Sequence, residues 1–103
     1  MKSKSSTTIK LHRVVHPGEI LEMEMEARGL SAQALALKLH VPANRITEIV
    51  RGRRSISAET ALRLGRYFKT GPELWSRIQV SYDIAIAERE LGAQVRREVE
   101  EAA

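Results

Sequence analysis

Between Leu35 and Val50 the sequence carries two apolar stripes at helical spacing, Leu35-Ala36-Leu39 and Ile46-Ile49-Val50, separated only by His40-Val41-Pro42. Helices this short do not persist alone in water, so each must draw its stability from packing on a neighbour. The tripeptide is too short for an excursion, which forces the two helices against each other at an angle. Similar punctuation runs through the chain. Pro17-Gly18 suits a first helical turn, Gly29 offers a left-handed stop, and Ser31 and Ser57 are N-caps. Gly52 and Gly71-Pro72 mark further breaks, and the segment that Ser57 caps carries Ala61, Leu62, Leu64 and Phe68 on one expected inner side. This spacing predicts helices from Pro17 to Gly29, over residues 32–39, 42–51 and 58–68, and from Pro72 to Leu91, with Gly92 as a weak point. No stretch alternates as a strand does, so the expected class is all-α with five helices.

The ends differ from this pattern. Residues 1–13, rich in Lys and Ser, read as a flexible basic arm, and residues 14–92 as the folded body. Beyond Gly92 the spacing Leu91, Val95, Val99 continues amid Arg96, Arg97, Glu98, Glu100 and Glu101, so residues 93–103 are a charged tail or a helical extension. At 103 residues there is room for one small domain and none for a large catalytic scaffold. The absence of cysteine excludes disulfides, thiolate nucleophiles and cysteine-ligated zinc. No apolar run approaches the roughly 20 residues of a membrane span, and the basic start lacks the apolar stretch of a signal peptide. The expected setting is therefore the cytoplasm, with no membrane partner.

The net charge of +4 conceals a segregation of signs. Residues 38–69 hold eight basic side chains against Glu48 and Glu59, a local +6, whereas residues 17–37 set four glutamates against Arg28. A solvated basic surface would account for the +6 stretch, and so would a face that displaces counterions from a polyanion. The two short helices favour the second. Their spacing matches a helix-turn-helix, in which Leu35, Ala36, Leu39, Val41, Ile46 and Ile49 lock the pair together and the second helix enters the major groove. With Ile46 and Ile49 inward, the 100° step per residue turns Ala43, Asn44, Thr47 and Glu48 outward, with Arg45 on the flank. These are the expected base readers: Asn pairs with adenine, Arg with guanine, Glu accepts from cytosine, and Ala and Thr methyls touch thymine. Lys38, Arg51, Arg53 and Arg54 are better placed for phosphates, together with Ser31 and Gln33 at the start of the preceding helix. Double-stranded operator DNA is the expected partner. A solvated loop remains the plain reading of the three arginines, and a solvated carboxylate that of Glu48.

The ordered strings His-Pro-Gly-Glu-Ile-Leu (16–21), Gly-Leu-Ser (29–31), Arg-Ile-Thr-Glu-Ile-Val-Arg-Gly-Arg-Arg-Ser-Ile (45–56), Thr-Ala-Leu-Arg-Leu (60–64), Pro-Glu-Leu-Trp (72–75) and Tyr-Asp (82–83) resemble the HigA antitoxin family. The resemblance spans residues 14 to about 92 and implies an Xre-type, lambda-repressor-like domain of five helices with a short C-terminal extension. It further implies a dimeric repressor of its own operon that neutralises a HigB-like toxin, a RelE-fold mRNA interferase. The sequence departs from the family where His40 and Lys69 replace glycines and Gly71 replaces a serine. Ala32 also stands where many Xre domains place a phosphate-bonding glutamine.

Other functions fit less well. His12, His16 and His40 lack a metal-ligand spacing, and Glu19, Glu22, Glu24 and Glu26 read as the solvated face of a helix start, so neither catalysis, a metal nor a cofactor is expected. Trp75 and Tyr82 share one helical face and suit core or dimer anchors better than a ligand site. A reader of two half-sites needs two copies, which places an expected homodimer seam on Leu74, Trp75, Ile78 and Tyr82. A free-standing Xre-type or phage-type regulator without a toxin is the alternative function, and a module docking an acidic protein is a second rival.

Overall fold

A computed structural model describes residues 14–103; the arm expected at residues 1–13 lies outside the described residues. Five helices follow one another: α1 (Pro17–Ala27), α2 (Ala32–Leu39), α3 (Ala43–Val50), α4 (Ala58–Phe68) and α5 (Pro72–Glu98). The described residues include no strand.

Local chemistry sets most boundaries. At the head of α1 the His16 Nδ1 accepts from the Gly18 N–H at 2.9 Å, while the Glu19 carboxylate accepts from the His16 N–H at 3.2 Å. Together they satisfy two amides at the edge of the first turn. Ser31 and Ser57 cap α2 and α4 by accepting from the Ala34 and Thr60 amides. The α2 and α4 C-caps, His40 (φ 60°) and Lys69 (φ 63°), are both left-handed.

The core gathers one face of every helix: Leu21 and Met25, Leu35, Ala36 and Leu39, Ile46 and Ile49, Ala61, Leu64 and Phe68, and Trp75, with Ile56 from the α3–α4 loop. Gly18 lets α1 approach the end of α3 directly. A Cβ at this position would penetrate the van der Waals shell of the Ile49 carbonyl oxygen, so only glycine fits. The buried amide of Ile56 donates to the Gln79 Oε1 at 2.7 Å, tying the loop after α3 to α5. Gln79 Nε2 in turn donates to Asp83 at 3.0 Å.

Three expectations require correction. Trp75, assigned to an intersubunit seam, is 1% exposed within its own chain. Its ring lies 5.7 Å from Phe68, and its Nε1–H donates to the Thr70 hydroxyl at 3.1 Å. Ile78 packs on the same core, and Tyr82 sets its ring 4.7 Å from His16, which leaves Leu74 as the exposed member of that group. The reason is economy of apolar surface: with α1 to α4 this short, the inner stripe of α5 is needed to close the core over α4. Leu62, expected inward with Ala61 and Leu64, is 60% exposed, since the wider arc it extends turns past the contact. Gly92 does not end α5. The helix runs on to Glu98, with Arg96 donating to Glu88 at 2.6 Å on either side of the glycine. Residues 93–98 are thus a helical extension, and the exposed Val80, Ile84, Leu91 and Val95 form a second apolar stripe away from the core.

Candidate nucleic-acid interface

Helix α3 is fixed from behind. Ile46 and Ile49 are fully buried, the Val41 N–H donates to the Ala36 carbonyl at 3.0 Å across the turn, and α2 makes the most extensive contact with α3. Small Ala36, 2% exposed, permits this approach. The opposite face is open. Ala43 and Asn44 are exposed at the N-terminal end, where a groove-entering helix meets base edges. Thr47 is half-buried, and its hydroxyl donates to the Ala43 carbonyl at 3.2 Å.

The two charged members of the helix are engaged. Arg45, with 23% of its side chain exposed, contacts Glu59 of α4 at 3.3 Å. Glu48 accepts from the Arg54 Nε at 2.9 Å. Glu48 must therefore release Arg54, or share it, before accepting from a cytosine, and Arg54 reaches a phosphate only at the cost of this exposed pair.

The expected phosphate contacts form two groups. Arg51, Arg53 and Arg54 gather at the C-terminal end of α3, in a loop ordered by amides of Gly52 and Arg53 donating to the Ile49 and Glu48 carbonyls at 3.0 and 2.8 Å. Arg51 and Arg53 are exposed and form no ion pair among the described residues. Ser31 and Gln33 sit at the α2 N-terminus; the Ser31 Oγ is occupied by its cap, leaving its hydroxyl proton available to an anion. Lys38 stands apart on an open recess of about 320 Å³, beside His40, Leu62, Arg63, Arg66 and Tyr67.

Two residues of this surface were absent from the sequence-based assignment. Glu59 and Arg63 pair one turn apart on α4, Nη2 to Oε2 at 3.1 Å, and the Arg63 Nη1 donates to the Leu39 carbonyl at 3.0 Å, closing the end of α2. Their order, acid four residues before base, is a visible helix-pair signal. Their reach to α2 and α3 is not visible in sequence. Among the described residues no group of His, Asp or Glu is arranged to hold a metal ion, and no helix is long and apolar enough to cross a membrane.

A helix-turn-helix family model, HTH_3, matches residues 21–75, from α1 to the start of α5. Virulence-associated protein I of Dichelobacter nodosus is 52% identical over 77 residues, covering 74% of this chain and 71% of that protein. An addiction module antidote protein of the HigA family from Coxiella burnetii superposes with a TM-score of 0.85 at 45% identity, covering 87% of this chain and 99% of that one. The Pseudomonas aeruginosa antitoxin HigA, solved with the higBA promoter, superposes equally well (TM-score 0.85) at 42% identity, covering 88% of this chain and 100% of that one.

Proposed function

The chain belongs to the HTH_3 helix-turn-helix family, and from that premise we propose that it is a sequence-specific DNA-binding repressor serving as the antitoxin of a HigBA-like module. One observation carries this reading. A short helix anchored by two fully buried isoleucines turns Ala43 and Asn44 outward within the +6 stretch, in a fold shared with an antitoxin solved on promoter DNA.

The division of labour follows from the chemistry. Asn44 offers both a donor and an acceptor to adenine, Arg45 a fork to guanine, and Ala43 and Thr47 methyls to thymine, while Glu48 accepts from cytosine N4. Ser31, Gln33, Lys38, Arg51, Arg53 and Arg54 neutralise phosphates and set register without reading sequence. Two half-sites lie about one helical turn, or roughly 34 Å, apart, so the active species is a homodimer. With Trp75 committed to the core, the outer stripe of Val80, Ile84, Leu91 and Val95 on α5 is a continuous exposed apolar surface suited to pairing. Bound across its own promoter, the dimer excludes polymerase. The second partner is a RelE-fold, HigB-like toxin met in the cytoplasm.

The DNA reading is tested by titrating the wild type against its own promoter fragment and a scrambled duplex. Discrimination between them is expected, Asn44→Ala shrinking it by roughly tenfold and Arg53→Ala weakening both duplexes alike. Equal affinity of the wild type for both duplexes overturns it. The toxin is tested by inducing a small reading frame found immediately upstream of this gene: growth arrest reversed by this chain, with co-purification, is expected, whereas no such frame or no arrest leaves a solitary regulator.

A further inference from the structure

We infer that Glu59 is a specificity-determining residue of the DNA-reading face, acting through Arg45. The inference rests on the DNA reading above. Glu59 stands in the first turn of α4, outside the recognition helix, yet its two carboxylate oxygens are divided between two elements. Oε1 faces the Arg45 Nη1 of α3 at 3.3 Å, and Oε2 accepts from the Arg63 Nε at 3.1 Å. Arg63 is itself fastened to the Leu39 carbonyl at the end of α2. An unbroken chain of contacts, Leu39 to Arg63 to Glu59 to Arg45, thus links both helices of the reading unit to α4.

The consequence is electrostatic and geometric. A guanidinium beside a carboxylate has much of its charge neutralised locally and gains less from a phosphate than Arg51 or Arg53, which are exposed and outside any ion pair among the described residues. The Glu59 contact engages only Nη1, so the remaining donors of the five-donor fork stay available to a guanine edge. Glu59 therefore damps the sequence-blind use of Arg45 and leaves its base-reading use intact, while holding the fork in one orientation. Non-specific binding is suppressed more than operator binding, and the ratio between them is the quantity Glu59 controls.

The test uses the full chain and two labelled duplexes: one that the wild type enriches from a randomised pool, and its scrambled counterpart. For Glu59→Gln, affinity for the scrambled duplex rises several-fold, and the plot of log affinity against log salt steepens by about 0.9, the value for one added phosphate contact. Operator affinity changes less, so the operator-to-scrambled ratio falls by up to the same several-fold factor. Glu24→Gln, which removes a comparably exposed carboxylate paired with Arg28 on α1, shifts both duplexes equally. In an Arg45→Ala background Glu59→Gln changes the ratio no further, because its target is gone. Glu59→Asp keeps the charge at the helix start but shortens the reach, so a partial loss of discrimination is expected even if Glu59→Gln folds poorly.

An unchanged ratio and salt slope in the folded variants overturn the inference, as does a Glu59 effect that persists without Arg45. A wild type that enriches no sequence overturns the DNA reading itself, and this inference with it.

Discussion

His40 and Lys69 hold the left-handed conformation, φ 60° and 63°, at the C-caps of α2 and α4. A side chain there crowds its own backbone by about 1–2 kcal/mol, partly offset because glycine loses more entropy on folding. His40→Gly and Lys69→Gly are each expected to stabilise the fold by about 0.5–1 kcal/mol, read as a higher urea midpoint at unchanged slope. Gly18 has the opposite sensitivity. Its added methyl meets the backbone of Ile49, which cannot swing away as a side chain would. Gly18→Ala is expected to cost about 1–3 kcal/mol and to loosen promoter binding beyond that loss, since it pushes α1 against the end of the recognition helix. Thermal melts and promoter titration of the same sample check both. The left-handed positions were legible in the sequence as departures from a family glycine. The demand on Gly18 was not, because it arises from a helix thirty residues away.

Among the elements, α3 depends most on its neighbours. It is a two-turn helix whose N-cap, Pro42, makes no side-chain capping bond. Its position is set by α2 packed behind it, α1 at its end and the loop that follows it. The far end of that loop is tied to α5 by a buried polar contact, the Ile56 amide donating to Gln79. Gln79→Leu leaves this amide without an acceptor and is expected to destabilise the protein by about 1–3 kcal/mol despite adding apolar surface. Faster hydrogen exchange at Ile56 than elsewhere in the core would show that the effect is local. The placement of Gln79 had a sequence signal, a polar residue four after Trp75 on the inner stripe of α5. Its partner had none, since an amide has no letter in the sequence. The existence and order of all five helices were legible from periodicity and caps; the end of α5 was not, because an isolated glycine weakens a helix without fixing where it stops.

At the scale of the whole molecule, α5 divides two apolar faces between different tasks. The inner face serves the chain's own core and the outer face is free for pairing. Trp75→Ala is therefore expected to cost about 3–5 kcal/mol and to unfold the chain rather than to produce a folded monomer. Ile84→Glu, on the outer face, is expected to leave the melting of the monomer fold nearly unchanged while halving the mass seen by light scattering and weakening binding to a two-half-site promoter. Retention of the wild-type mass by Ile84→Glu would remove the outer seam as the pairing surface. Legible in the sequence alone were the all-α class, the short angled pair at its centre, the charged surface around it and the exposure of Ala43 and Asn44 on α3, whereas Thr47 and Glu48, expected outward with them, are half-buried. These follow from local rules: period, caps and the fixed step of a helix. Which face of α5 is buried, that Gly18 must be bare, and that Arg45 is held by Glu59 came from the packing of distant segments. These depend on distances between residues far apart in the chain, and periodicity, which marks an apolar stripe, carries no record of what the stripe will meet.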